Sequence, residues 1–173
     1  MLNENATLSF GAKYLGMWST GGQSYRNFIN NSWQADEALG NAYRYREHIT
    51  AGYVNFSSEI TDKLMYELGV RYENTRTVFH SLKTNSENRL AYHSFFPSVD
   101  LAFPWNADRG NILSLSYDRS IERPRLYQLD PSRYKDGTNI YSAGNTDLKA
   151  YYENSVSLTQ SFLHRYNATF SVE

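Results

Sequence analysis

Hydrophobic and polar positions alternate along most of this chain, and the alternation marks out its elements. Successive side chains of a strand point to opposite faces, so a period of two separates an apolar side from a polar one. The clearest run covers 63–78. Leu64, Tyr66, Leu68, Val70 and Tyr72 fall on one face; Glu67, Gly69, Arg71, Glu73 and Thr75 fall on the other. Three charges on one face require wet surroundings, because unpaired buried charge is costly. The same reading predicts strands over 6–18, 43–56, 95–103, 113–117, 152–162 and 166–173, about seven in all. In the 95–103 run Phe95, Pro97, Val99, Leu101 and Phe103 face one way, and Phe96, Ser98, Asp100 and Ala102 the other. Over 43–56 the facing stays ambiguous, since Glu47 shares parity with Ile49 and Tyr53.

Between these runs, 19–42, 79–93 and 121–149 read as long polar connections, with a short helical turn expected over 36–39. Segments 57–62, 104–110 and 163–165 read as short turns. Long connections thus follow strands one, three and five, and short ones follow strands two, four and six. That asymmetry belongs to outer-membrane barrels, whose long loops lie outside and whose short turns face the periplasm. Five apolar residues at spacing two span ~27 Å at about 3.3 Å per residue, close to the ~25 Å apolar band of such a wall. The fold class expected is all-β: a curved, open antiparallel β-meander in sequential strand order.

Two prolines refine the picture. Pro97 has no N–H for a ladder and is expected near a strand end or bulge, and Pro124 should end strand five by about Arg123. Arg123 itself is expected to tie the following loop to the wall. Leu126, Tyr127 and Leu129 form an apolar cluster closed by Asp130-Pro131, which should fold the loop back over the rim. Within it 125–129 is expected to be ordered as a helical turn and 132–139 to be the most mobile part. Gly144-Asn145 returns the chain to strand six, both residues tolerating positive φ.

Composition changes this picture little. The chain has 173 residues, of which 40% are hydrophobic and 16% aromatic, with 15 Tyr, 9 Phe and 3 Trp. Mean hydropathy is −0.63. No run approaches the ~18 apolar residues of a membrane helix, but barrel strands hide their apolar content in alternation. The aromatic content suits interfacial girdles, and Trp105 is expected at such an interface. A net charge of −1 gives no reason to expect nucleic acid. There is no cysteine, hence no disulfide framework. His48, His80, His93 and His164 are scattered, and neither H-E-x-x-H nor G-x-S-x-G occurs, so no catalytic, metal or cofactor role is expected. Asp136-Gly137-Thr138-Asn139 reads as an Asp-Gly turn, not a calcium loop. The N-terminus lacks the basic start and apolar stretch of a signal peptide, so the chain is expected to be a piece of a longer protein.

Several motifs carry a family resemblance. They are Ile121-Glu-Arg-Pro124, Leu129-Asp-Pro131, Gly144-Asn145 with Leu148-Lys149, and Tyr152-Glu153-Asn154. Upstream lie Tyr45-x-Glu47-x-Ile49-x-Ala51-x-Tyr53, Gly69-x-Arg71-x-Glu73-x-Thr75 and Phe96-Pro97-Ser98. Together these resemble TonB-dependent outer-membrane receptors, and among them the outer-membrane β-barrel protein group of Bacteroidetes-like bacteria. Thr146 and Ala150 stand where that group usually has proline. The resemblance implies a 22-stranded transmembrane barrel around a plug, of which residues 1–173 form a partial domain of roughly a third, without plug, signal peptide or C-terminal closing strand. It implies nutrient uptake across the bacterial outer membrane and no enzymatic activity. The implied partners are outer-membrane lipid, the receptor's own plug, TonB and a surface lipoprotein. Glu67, Arg71, Glu73 and Asp100 are then expected to line the lumen. Tyr127, Tyr134 and Tyr141 either stack on a ligand or pack the outer loop onto itself. Two other readings stay open: a non-transporting outer-membrane barrel or adhesin, and a soluble glycan-binding β-sandwich.

Overall fold

The structure is a computed structural model that describes residues 6–60 and 63–173. Seven long strands build one antiparallel sheet: β1 (Thr7–Gln23), β4 (Asn41–Ile60), β5 (Leu64–Ser81), β6 (Ser86–Asn106), β7 (Asn111–Glu122), β10 (Tyr151–Phe162) and β11 (Tyr166–Val172). They stand side by side in chain order, and the sheet is open, with β1 and β11 as its two edges. Four short strands make two small hairpins in the long connections: β2 (Arg26–Ile29) with β3 (Ser32–Ala35), and β8 (Tyr134–Lys135) with β9 (Tyr141–Ser142). Among the described residues no second layer packs on the seven-stranded sheet, which sets the sandwich reading aside.

Register turns the alternation into two faces. One row takes an apolar residue from every long strand: Leu8, Phe56, Leu68, Val99, Tyr117, Val156 and Val172. The next row on the opposite face reads Ser57, Glu67, Asp100, Ser116, Ser157 and Ser171. The apolar face, here the outer face, leaves large side chains bare; Phe10 is 77% exposed and Phe170 70%. A face of that extent is stable only against an apolar medium. Burial lies on the other, inner face, at one end of the sheet, at Tyr45, Ala51, Thr75, Phe79, Ser94 and Phe96; the folded-back connection brings Leu129 to Tyr45 and Phe79 and Arg123 to Thr75, and Tyr152 of β10 meets Ser94 and Phe96.

The connections depart from the pattern in instructive ways. The expected loop over 79–93 does not exist: β5 runs on to Ser81, β6 starts at Ser86, and a tight turn joins them. Outward positions there include Arg76, His80, Glu87 and Arg89, while inward ones mix Thr77 and Asn88 with Phe79 and Leu90, so neither face is uniformly apolar and the period of two is invisible in hydropathy. The 57–62 segment is also mostly strand, since β4 extends to Ile60; residues 61–62 lie outside the described residues. Pro104 sits within β6, not in a turn, where the β6–β7 register shifts between Phe103 and Asn106. Pro97 is in mid-strand opposite Val70, yet the β6–β7 ladder stops next to it at Ser98 and Asp118. Its missing N–H marks the end of a pairing, not the end of a strand.

The connection over 24–40 is a hairpin, not an unstructured loop. Asn30 and Asn31 both have positive φ, 51° and 61°, the backbone that a two-residue turn between right-twisted strands requires. No helix forms over 36–39. Asp36 instead closes a turn, its side chain accepting from the Ala38 N–H at 3.0 Å and its carbonyl from the Leu39 N–H at 3.2 Å.

The connection over 123–150 begins where β7 ends at Glu122, just ahead of Pro124, and forms the short helix α1 (Leu126–Leu129). Of its apolar trio only Leu129 is buried, against Tyr45, Phe79 and Leu90; Tyr127 points away. The stretch expected to be mobile holds β8 and pairs with β9. Gly144 is not in the positive-φ region. Its role is close approach: its N–H donates to the Asp130 carbonyl at 2.7 Å, and that of Asn145 to the Gln128 carbonyl at 2.6 Å. A Cβ at Gly144 would lie 2.5 Å from the Gln128 oxygen and 2.6 Å from that of Asp130, both backbone atoms that cannot swing aside. Gly144→Ala is therefore expected to destabilise the folded-back loop by about 1–3 kcal/mol. Limited proteolysis of the intact protein measures this; cleavage of 123–150 at the wild-type rate would refute it.

Candidate functional site

The site lies at the end of the sheet where the long connections meet, and two polar clusters assemble it. The first is centred on Glu73. Its position on the inner face of β5 puts it between two guanidiniums. Arg71 Nε lies 3.0 Å from Glu73 Oε1, and Arg123, just past the end of β7, donates from Nη2 to Oε2. Arg123 also donates from Nε to the Tyr92 hydroxyl at 3.1 Å and from Nη2 to Thr75 Oγ1 at 3.3 Å. One side chain thus bonds to β5 and β6 and holds the start of the loop on the wall. Arg71 in addition lies over the Phe96 ring, 4.5 Å from its centroid. Charge-assisted hydrogen bonds of this kind are among the stronger polar contacts available to a partly buried loop.

The second cluster is centred on Asp130, 1% exposed. Its Oδ2 accepts from Asn41 Nδ2 and from the Tyr134 hydroxyl, each at 2.5 Å, and its Oδ1 accepts from the Ser132 N–H at 2.9 Å. Asn41 opens β4, so this carboxylate joins two connections 89 residues apart. Further bonds lock the same assembly: the Gly40 N–H to the Arg133 carbonyl at 2.9 Å, Lys83 Nζ to the Leu39 carbonyl at 2.7 Å, and Asn88 Nδ2 to the Thr146 carbonyl at 2.9 Å. The outer connections form one cap, not three free loops.

Burial alone would raise the Asp130 carboxyl, but hydrogen bonds from Tyr134, Asn41 and Ser132 outweigh it and hold the group below its ordinary value of 3.8. Burial, and then the neighbouring Asp130 charge, push the Tyr134 phenol up. A depressed carboxyl stabilises the folded loop fully above its unfolded value, and that contribution is lost as pH falls through the lower folded value. Protease resistance of 123–150 is thus expected to be flat between pH 7 and pH 5 and to fall only below 3.8. Asp130→Asn should give lower resistance with no acid-dependent drop. An identical acid drop in that variant would show that another group is responsible.

The sequence-predicted residues separate here. Arg71, Glu73 and Arg123 come together as described. Glu67 and Asp100 sit directly opposite each other on the inner face, further down the sheet, beside an open hollow of about 440 Å³. Neither makes an ion pair among the described residues. The three tyrosines have three different surroundings. Tyr134 is bonded to Asp130, Tyr141 lies under the Arg133 guanidinium at 4.1 Å, and Tyr127 is 63% exposed. Tyr127 and Tyr134, with Tyr25, Gln128, Lys135 and Asp136, line an open hollow of about 540 Å³ at the top of the cap. Sequence reasoning missed Asn41, Tyr92 and Tyr25, and read Asp130 only as part of a turn. Only the Leu-Asp-Pro motif signalled Asp130; nothing local signals the others, whose partners are all distant in sequence.

A departure from simple parity occurs at the same level. Tyr152 shares the parity of Val156 and Leu158, yet its hydroxyl bonds Ser94 at 2.7 Å and its ring meets Phe96, both on the inner face. Arg119 lies over it at 4.2 Å. These residues lie beyond Asp118, where β7 and β10 continue together without β6. Among the described residues, no group of three or more His, Cys, Asp or Glu is placed to hold a metal ion.

Residues 1–173, the whole chain, match the model of an outer membrane protein beta-barrel family. The chain belongs to that outer membrane protein beta-barrel family. No curated protein matches it. Membership explains the sheet: the bare outer face is the lipid-facing surface of a bacterial outer-membrane protein, and the Leu8-to-Val172 row runs from strand to strand within its apolar band. Among the described residues no helix is long and apolar enough to cross a membrane; a β-barrel crosses with strands.

Proposed function

We infer that the chain forms part of the wall and outer loops of a TonB-dependent receptor, a 22-stranded barrel that takes up a nutrient too large for porins. The reading rests on the motifs running from Ile121 to Asn154. One observation favours it over a non-transporting barrel or adhesin. The 123–150 connection folds onto the inner face, pinned by Arg123 and Asp130, where it narrows the outer mouth of a barrel instead of projecting from the cell. The unpaired acids Glu67 and Asp100 leave charge on the inner wall that a cationic plug surface would satisfy. In this reading Tyr127 and Tyr25 contact ligand, Tyr134 and Arg123 hold the loop, and no residue performs covalent chemistry or holds a cofactor.

The test is uptake of labelled oligosaccharides and peptides by cells carrying the intact protein, with and without a protonophore, together with capture of the TonB C-terminal domain by the purified protein. Accumulation that collapses when the proton gradient is dissipated supports the receptor. Surface binding that survives de-energisation, without TonB capture, would establish the adhesin reading instead.

A further inference from the structure

Above the apolar belt, the outer face of β4 and β5 carries cations that form no ion pair among the described residues. Arg44, Arg46 and Arg76 are exposed, and among the described residues none makes an ion pair. Register pairs His48 with Arg76 and Arg46 with Val78, so Arg46 and Arg76 are diagonal neighbours on one face, within reach of a shared anion. The one acid at the outward positions of this region is Glu87 on β6, already paired with Arg89. Like charges at such positions destabilise a sheet unless an anion lies between them.

Immediately below the arginines the wall is dented. Tyr14 and Tyr72 flank an outward hollow of about 690 Å³ that also includes Thr50, Asn74 and Arg76, with Gly52 on its floor. A Cβ at Gly52 would meet nothing closer than 3.9 Å, so the space above it is open. Both tyrosines have partners: Tyr14 bonds His48 Nδ1 at 2.6 Å, and Tyr72 bonds His93 Nδ1 at 2.5 Å with the rings stacked. Below the dent the outward side chains are Phe10, Val54 and Val70.

We propose that this patch is a binding site for a phosphorylated lipid of the outer leaflet. Its phosphate bridges the Arg46 and Arg76 guanidiniums, and an acyl chain lies over Gly52 between Tyr14 and Tyr72. Guanidinium is matched in shape and charge to phosphate, and the long connections put this end of the strands at the outer leaflet, where the accessible anion is a lipid headgroup. The site rests on membership of the outer-membrane family and does not depend on uptake.

Native mass spectrometry of the intact barrel in neutral detergent tests it, with diphosphorylated lipid A, its dephosphorylated form and inorganic phosphate as probes. The expected result is retained diphosphorylated lipid, at least ten-fold weaker retention of the dephosphorylated form, and no retention of inorganic phosphate alone. Arg46→Gln and Arg76→Gln should each weaken retention about five- to ten-fold. Lys13→Gln, the same charge change on the inner face, should leave it unchanged. Equal retention of the dephosphorylated lipid would overturn the proposal without reliance on any variant. An equal loss in Lys13→Gln, or retention of inorganic phosphate by itself, would also overturn it.

Discussion

Leu68→Arg is expected to destabilise the intact barrel by about 2–4 kcal/mol in phospholipid vesicles. Leu68 is the middle of the apolar outward run Leu64 to Tyr72 of β5, between Phe56 and Val99, and 45% exposed without lipid. A guanidinium there must either leave water for the middle of the apolar band or distort the bilayer to reach its surface. Asp100→Arg, on the other face of the adjoining strand, is the matched comparison. It faces Glu67 and replaces a like-charge pair with an opposite one, so it should change stability by less than about 1 kcal/mol. Unfolding in urea from the same vesicles measures both. Equal penalties would mean that the two faces are not lipid and water faces, and the assignment of outer and inner would be wrong.

The second large effect is expected at Arg123. Arg123→Ala removes hydrogen bonds to a carboxylate that is only 12% exposed, leaving Glu73 with Arg71 alone. Bonds to charged groups contribute about 1.5–3 kcal/mol each, so the loop anchor should be lost while the strands stay paired. Hydrogen exchange should accelerate across 123–150 by at least ten-fold, with β4 and β5 unaffected. Arg123→Lys should recover only part of the protection, because an ammonium cannot reach Glu73, Thr75 and Tyr92 with a planar fork. Unchanged exchange in the alanine variant would mean that the Asp130 cluster holds the loop by itself.

How much of this was legible depended on where a residue stands relative to the membrane. Within the apolar band the two faces differ in hydropathy, and Leu64 to Tyr72 or Phe95 to Phe103 disclose their facing directly. Above the band the outer face is polar and the inner face is buried under the cap, so Arg76, His80, Glu87 and Arg89 look like loop although they belong to a long hairpin. Turns were legible where one residue type is demanded: Pro124 stops β7. They were not where two asparagines do a glycine's work at Asn30-Asn31. Gly144 was recognised as special for the wrong reason, since a sequence announces a glycine but not which neighbouring carbonyls will crowd it. Of the Asp130 cluster the sequence showed only the Leu-Asp-Pro motif and an unplaced Tyr134, because Asn41 and Tyr134 reach the carboxylate only after the sheet has formed.

The tight turn over 82–85 has a consequence for how the wall assembles. It joins β5 and β6 through four residues, whereas β7 and β10 are joined through 28, about seven times the length. Closing the longer connection costs about 1.7 kcal/mol more in chain entropy. The β5–β6 ladder runs for 17 successive residue pairs from Ser81 and Ser86 to Met65 and Ala102, and each pair rewards closure as it forms. Pairing should therefore nucleate at the short connections, 82–85 and the three-residue 61–63 with its 18-pair β4–β5 ladder, and the Arg123 and Asp130 bonds should be made last. The cap over the outer mouth then serves as a late checkpoint: it can close only on strands already in register, because Glu73, Thr75 and Tyr92 come from two of them and Asn41 from a third.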